Sequence, residues 1–237
     1  MNAGNRSPLR ILRANGLRVP PEFPVAPYET IYEVVTKKYG QHAYFGHHAE
    51  AWNALAYRYQ EIVDAGELFA ALLRAHGTAP VPEHRYAQER AIFDFYSSGF
   101  SALECAFYGF YAIGMLLSAD GFTLASERDQ QRVSPGSTKD AYARAFPDDP
   151  FIAVLESILG DPDFQSWRAV RNVLTHRTAP GRRMYASIGG GDELQTEWNL
   201  NGMPLSDTIA VNGRRNLVRV LETLLVGGAD FIVRKVP

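Results

Sequence analysis

Two residues able to perform chemistry together, Arg171 and His176, lie five positions apart, and Asn172 directly follows the arginine. When an RNA phosphodiester is cleaved, its phosphorus centre gains negative charge, which a fixed guanidinium can stabilise. A histidine titrates near neutral pH and can transfer the protons that the reaction requires. Because the 2′-hydroxyl of RNA can itself attack the phosphorus, this pair predicts cleavage without a metal ion or another cofactor.

The pair lies in a basic stretch of a chain whose net charge is only -2. Residues 165–191 contain five arginines and no acidic residue. A local basic patch on a near-neutral protein predicts an anion-binding site, whereas a nucleic-acid coat protein needs many cations. Beyond Arg171, the arginines predicted to bind RNA phosphates are Arg168, Arg177, Arg182 and Arg183.

The spacing of the pair limits how one chain can use it. Residues five apart on a regular helix are separated by about 140° around the axis, so Arg171 and His176 share a face only if the helix ends or distorts nearby. Asn172 and His176 are four apart and share a face, which would let the amide orient the imidazole or a phosphate. Two copies meeting at a two-fold axis would complete such a sparse site, so we expect a homodimer.

Apolar periodicity predicts a mainly α fold, an up-down helical bundle with a small β-hairpin or meander inserted before the last helix. The predicted helices span residues 28–39, 49–76, 83–118, 140–146, 149–159, 162–176 and 214–233. Residues 120–138 are rich in turn formers and predict a loop. The β insertion is expected at about 183–211, with strands over 184–188, 194–200 and 209–211. Asn201-Gly202 between apolar segments is typical of a hairpin turn.

The first 27 residues differ in character from the rest of the chain. They contain four arginines and five prolines, and no acidic residue precedes Glu22. These prolines disfavour a targeting helix, so we expect a flexible N-terminal arm that docks on the body or extends to a partner. Residues 28–237 are expected to form a single helical domain that includes the β insertion.

The most apolar run, residues 95–119, has Glu104 as its single charge. Ser97, Ser98, Gly99 and Ser101 leave a clean apolar stretch of about 15 residues, whereas a membrane span needs about 20. We therefore expect a buried core helix, no membrane partner and a cytoplasmic protein. The single cysteine, Cys105, excludes an intramolecular disulfide and favours buried packing over a nucleophilic role.

A metal site is a weaker interpretation of the histidines near residue 45. His42, His47, His48 and Glu50 are close in sequence. Adjacent residues on a helix diverge by about 100°, so His47 and His48 would point apart. No cysteine or aspartate cluster accompanies them, so no metal ion is predicted.

Arg171-Asn172 followed by three residues and His176 resembles the Arg-x4-6-His motif of HEPN domains, in its Arg-Asn-x-x-x-His form. Two long antiparallel helices, followed by shorter helices with the motif near the end of one, are similar to the layout of that family. The resemblance covers roughly residues 45–235. It implies a dimeric helical bundle that cleaves RNA without metal, with Arg171 and His176 catalytic and Asn172 supporting them.

Glu104 is a further candidate for the site. In many HEPN domains a polar residue on an earlier long helix contacts the motif, and Glu104 shares a helical stripe with Ser101 and Tyr108. A buried carboxylate is costly unless it is paired, which favours Arg171 as its partner. HEPN toxins paired with a nucleotidyltransferase antitoxin often carry tyrosine two residues after the histidine. Thr178 stands there, so that antitoxin is a doubtful partner.

Other functions fit the same residues. A non-catalytic HEPN-like module would bind RNA, a nucleotide or a protein partner through the arginines. A purely structural dimerisation domain would use Arg171 for packing and His176 at a helix C-terminus, where a cation interacts favourably with the helix dipole. Salt-sensitive binding without turnover would indicate the module. Tolerance of substitution at both positions would indicate the structural domain.

Overall fold

The computed structural model describes residues 10–118, 120–176, 181–185, 195–200 and 202–236, and for residues 181–185 and 195–197 it describes the backbone alone. Within these residues the chain is mainly helical. The helices are α1 (Val25–Tyr39), α2 (Phe45–His76), α3 (Pro82–Leu117), α4 (Glu127–Gln131), α5 (Pro135–Ala145), α6 (Phe151–Gly160), α7 (Pro162–His176) and α8 (Ile209–Lys235). The strands are β1 (Arg10–Ile11), β2 (Arg18–Val19), β3 (Gly181–Tyr185), β4 (Gln195–Leu200) and β5 (Met203–Pro204).

The prediction of a loop over residues 120–138 is wrong, because α4 and the start of α5 lie there. Both helices begin with a capping box. The Ser126 hydroxyl accepts a hydrogen bond from the Asp129 backbone at 3.2 Å. The Ser134 hydroxyl accepts one from the Ser137 backbone at 3.1 Å. Polar residues that suggested a loop are therefore helix caps, which satisfy backbone donors at helix starts.

The predicted strand over residues 209–211 is also wrong, since these residues form the first turn of α8. Ala210 is buried, and a Cβ added to Gly213 would lie 3.1 Å from the Phe95 ring. Helix packing therefore keeps Asn212-Gly213 inside a helix rather than in a turn. The β insertion is a meander in which β4 pairs antiparallel with both β3 and β5.

Contacts between residues divide the chain into two compact units. Unit 1 comprises residues 1–60, 101–165 and 217–237, and unit 2 comprises residues 61–100 and 166–216. Helices α2, α3, α7 and α8 each contribute residues to both units. The single domain expected over residues 28–237 stays a prediction.

Unit 1 has an aromatic core. The Trp52 indole donates to the Tyr28 carbonyl at 3.1 Å, and the Tyr28 hydroxyl donates to the Trp52 carbonyl at 2.9 Å. Tyr142, Phe151 and Phe231 pack in the same unit, with ring centroids 5.3 Å apart in each pair. The first pair joins α1 to α2, and the second set joins α5, α6 and α8. The Phe110 ring of α3 links the two groups, with centroids 5.4 Å from Trp52 and 5.1 Å from Phe151.

The N-terminal arm is described from Arg10 onward, where β1 and β2 form a two-stranded hairpin. Leu12, Val19 and Phe23 are buried. The Arg13 backbone donates to the Glu29 carboxylate at 2.7 Å. This part of the arm therefore docks on α1.

Among the described helices, α3 is the one that is long and apolar enough to cross a membrane. In its most apolar window, 67% of the residues are buried inside the protein. Core helices also pass a test of length and apolarity, so the predictions of no membrane span and a cytoplasmic location remain predictions.

Candidate functional site

Helix α7 carries the Arg171–His176 motif, and its first turn is firmly fixed. The Asp161 carboxylate accepts hydrogen bonds from the Asp163 and Phe164 backbones at 2.8 and 3.3 Å. The Arg219 guanidinium donates to Asp161 and Asp163 at 2.7 and 2.8 Å. Burial raises the pKa of Asp161, but these hydrogen bonds outweigh it and hold the pKa below its usual range. The helix therefore begins at a charged N-cap with Pro162 at its first position.

Trp167 anchors the middle of α7 to α3 within unit 2. Its side chain is buried, with ring centroids 5.2 Å from Phe95 and 4.9 Å from Tyr96. The indole also lies directly against Gly99, where any Cβ would overlap the ring. Because Trp167 and Arg171 are four residues apart on one helix, this contact also determines where the Arg171 side chain leaves the helix.

The Arg171 side chain is half-buried and held by two described neighbours. Its guanidinium carbon lies 5.0 Å from the Phe100 ring centroid, a cation–π contact. Its Nη1 donates to the Asn172 side-chain oxygen at 3.1 Å. The structure therefore brings together two of the predicted catalytic residues, Arg171 and Asn172, and fixes the position of the guanidinium.

His176 is the last residue of α7 and is exposed to solvent. The helix continues to this residue, so the geometry of a regular helix places Arg171 and His176 about 140° apart around the axis. Asn172 lies one turn before His176. One chain therefore presents a fixed guanidinium and an accessible imidazole at the same helix end, on different faces.

The predicted phosphate-binding arginines have different positions. Arg168 is exposed on α7, one turn before Asn172. Arg182 and Arg183 belong to β3, where they pair with Trp198 and Glu197, and their side chains lie outside the described residues. Arg177 lies wholly outside the described residues, as do Thr178 and the glycines at 189–191.

Glu104 belongs to unit 1, whereas Arg171 belongs to unit 2, and their predicted pairing stays a prediction. Within its own unit, the half-buried Glu104 lines a cavity together with Arg58 and Cys105. The charges of Arg58 and Glu104 both act on Cys105, with opposite effects on the pKa of its thiol. Glu104 and Arg58 therefore line the same cavity of unit 1.

The histidines at the start of α2 diverge as the helical geometry predicts. His48 is fully buried, while His47 lines the same cavity as Glu104. In the described ranges, no group of three or more His, Cys, Asp or Glu side chains could hold a metal ion.

Two features were missed by sequence reasoning. Phe100 holds Arg171, but a helical pattern does not reveal which aromatic ring will meet a guanidinium from another helix. Arg58 lines the cavity with His47 and Glu50. Glu50 lies three residues after His47 and eight before Arg58 on α2, and this spacing could have indicated the cavity from the sequence.

Comparisons of this chain with protein-family models, with curated proteins and with solved structures find no match. The resemblance to HEPN domains therefore depends on the motif and the order of the helices.

Proposed function

We propose that this chain is a metal-independent endoribonuclease of the HEPN type that acts as a homodimer. Arg171 would stabilise the charge that develops on the phosphorus centre, His176 would transfer protons and Asn172 would keep the guanidinium in place. The observation that carries the proposal is the half-buried Arg171, held by Phe100 and Asn172 on the helix that ends at the exposed His176.

The reaction follows from RNA chemistry. The 2′-oxygen forms a bond to phosphorus while the bond from phosphorus to the 5′-oxygen breaks, giving a 2′,3′-cyclic phosphate and a 5′-hydroxyl. A base removes the proton of the 2′-hydroxyl, and an acid gives a proton to the leaving 5′-oxygen. His176 of one copy, beside Arg171 of the other, would remove the first proton and, once protonated, supply the second, and the exposed Arg168 would hold a flanking phosphate.

The second candidate is an RNA-binding HEPN-like module without cleavage. The regular course of α7 favours it, because Arg171 and His176 do not share a face within one chain. Such a module would bind RNA through the arginines, and its affinity would fall as the salt concentration rises. Catalysis and binding therefore differ in whether product forms, not in whether RNA binds.

The deciding experiment is cleavage of a labelled single-stranded RNA in excess EDTA. Wild type is compared with Arg171→Ala and His176→Ala, and with His42→Ala and Arg74→Ala as controls that remove exposed residues of the same types. We expect cyclic-phosphate product from wild type and both controls, and product formation slowed about a hundredfold or more in the two motif variants. Equal activity in all five proteins would indicate a contaminating nuclease, and RNA binding without product would support the second candidate.

A further inference from the structure

Unit 1 contains an open cavity of about 510 Å³ between the first half of α2 and the second half of α3. The segment joining α4 to α5 closes one side. Its chemically active side chains are His47, Glu50 and Arg58 from α2, and Glu104, Cys105 and Tyr108 from α3. This volume falls in the range of small-molecule sites, about 300–1,000 Å³. The proposed RNA cleavage uses none of the α2 residues.

One end of the cavity is preorganised by a hydrogen bond between two helices. The Tyr108 hydroxyl and His47 Nδ1 are 3.0 Å apart, and their rings meet edge to face with centroids 6.2 Å apart. Burial and the nearby Glu50 carboxylate raise the pKa of Tyr108. The phenol therefore stays neutral and can accept a hydrogen bond from a ligand beside Glu50.

Two opposite charges line the cavity on the same helix. Glu50 and Arg58 are eight residues apart, which is about 12 Å along α2 at 1.5 Å per residue. Neither side chain makes an ion pair with any residue that the structure describes. Ala51 and Ala54 lie between them and also line the cavity, leaving space beside the helix. A carboxylate that can bind a cation and a guanidinium that can bind an anion are thus held apart, with room for a ligand between them.

We propose that this cavity binds a linear zwitterion whose ammonium and carboxylate groups are separated by about the length of an extended tripeptide, roughly 10 Å. Glu50, with the Tyr108 hydroxyl, accepts hydrogen bonds from the ammonium group. The Arg58 guanidinium binds the carboxylate through its planar fork. The alanines accommodate a backbone with small side chains. This site is independent of the nuclease motif and does not require that RNA be cleaved.

Cys105 provides a direct test, because it lines the cavity and is the single cysteine of the chain. Burial raises the pKa of its thiol, which slows alkylation by N-ethylmaleimide, and intact-mass spectrometry follows the reaction. Trialanine with free termini is the probe. At about ten times its Kd, roughly a tenth of the protein stays unbound, so we expect alkylation to slow about tenfold. N-acetyl-trialanine amide, which lacks both charges, should give no protection.

Variants identify the two charged contacts separately. Glu50→Gln and Arg58→Gln should each weaken trialanine binding about tenfold or more, as expected for loss of a charge-assisted hydrogen bond. Trialanine amide, which lacks the carboxylate, should bind wild type and Arg58→Gln equally well. Arg74→Gln and Glu83→Gln change exposed charges of α2 and α3 outside the cavity, and they should leave trialanine binding unchanged.

Titration calorimetry with the same peptides gives a second measurement, which decides the question if Cys105 is not alkylated in the free protein. The proposal is supported if trialanine slows Cys105 alkylation or gives a heat of binding. Both effects must be lost with the capped peptide and in both cavity variants. Equal binding of free and capped peptides would overturn it, as would the absence of both protection and heat. RNA cleavage enters neither measurement, so failure here leaves the nuclease proposal standing.

Discussion

Arg171 combines a fixed charge with a fixed plane, because its guanidinium lies over the Phe100 ring and donates to Asn172. Lysine would keep the charge but lose the planar fork and the stacked contact. We expect Arg171→Ala to lower the cleavage rate about 10²- to 10³-fold, the usual cost of removing one transition-state donor. Arg171→Lys should fall between alanine and wild type. Single-turnover cleavage measures both, and a lysine variant as active as wild type would show that charge alone is required.

His48 is a titratable residue placed in the apolar interior of unit 1. It is fully buried beside Trp52, with ring centroids 4.9 Å apart, and neither imidazole nitrogen makes a good hydrogen bond with a described residue. Burial lowers the pKa of His48 from 6.5 to about 4, and the nearby Gly109 backbone only partly opposes this shift. The folded protein therefore holds a neutral imidazole where the unfolded chain would bind a proton.

This difference predicts how stability depends on pH. The contribution of neutral His48 is fully present above pH 6.5 and decreases as the pH falls towards about 4, because the unfolded state takes up the proton first. Between pH 7.5 and 5 the free energy of unfolding should fall by about 2 kcal/mol through this residue. Urea unfolding of His48→Phe should lack this decrease, and the exposed-site control His42→Phe should retain it. The same pH dependence in His48→Phe and wild type would contradict the assignment.

At the residue scale, Asn172 was expected to orient the His176 imidazole or a phosphate. Its side chain accepts a hydrogen bond from Arg171, the adjacent residue of the helix. Its supporting role in the motif stays a prediction. Phe100 could not be predicted as a neighbour of Arg171, because the contact depends on how α7 packs against α3. The cavity was missed for the same reason, since its residues come from two helices and a connecting segment.

At the scale of elements, the contact between Trp167 and Gly99 determines where the motif lies. A methyl group at residue 99 would overlap the indole ring, so one of the two helices must move. Helices held this closely tolerate little added volume, and overpacking typically costs about 1–3 kcal/mol. Arg171, the first residue of the proposed nuclease motif, lies one helical turn beyond Trp167.

Gly99→Ala should therefore lower the melting temperature and reduce RNA cleavage together. Gly46→Ala is the matched control, because a Cβ at that position of α2 meets no atom within 4 Å. The control should be as stable as wild type or slightly more stable, since alanine favours helix over glycine. Thermal unfolding and cleavage assays measure both effects. Combining Gly99→Ala with Trp167→Phe should restore part of the lost stability. If stability does not recover, overlap with the Trp167 ring is not the cause of the loss.

The bounds of α7 and α8 show why the sequence predicts the positions of helices but not every helix start. Asp161-Pro162 predicted the start of α7 and the apolar residues its course to about His176, and the structure confirms a helix over residues 162–176. In contrast, α8 begins at Ile209, five residues before the predicted start at Arg214. Local turn propensity is weak there compared with packing of Gly213 against Phe95 and Trp167. Tertiary contacts that override local preference cannot be inferred from a single sequence.

At the scale of the whole molecule, the proposed nuclease needs more than one chain. A single α7 presents one guanidinium and one imidazole on different faces. A two-fold axis near the ends of two copies of α7 would bring Arg171 of each copy towards His176 of the other. A dimer would then contain two sites, each with one guanidinium and one imidazole.

Mixing inactive variants tests this arrangement. Arg171→Ala and His176→Ala are purified separately, mixed in equal amounts, and unfolded and refolded together so that subunits exchange. If each site combines Arg171 of one copy with His176 of the other, a mixed dimer contains one intact site and one doubly defective site. Half of the dimers are mixed by random pairing, so about a quarter of the wild-type activity should return.

If both residues of a site come from the same chain, no mixed dimer contains an intact site and the mixture stays inactive. A refolded wild-type sample measures the loss due to refolding, and light scattering measures whether dimers form. A purely monomeric wild-type protein that cleaves RNA would contradict the two-fold site, since one helix would then suffice. Recovery in the mixture would instead require Arg171 and His176 to act across the two-fold axis, because neither variant alone contains both.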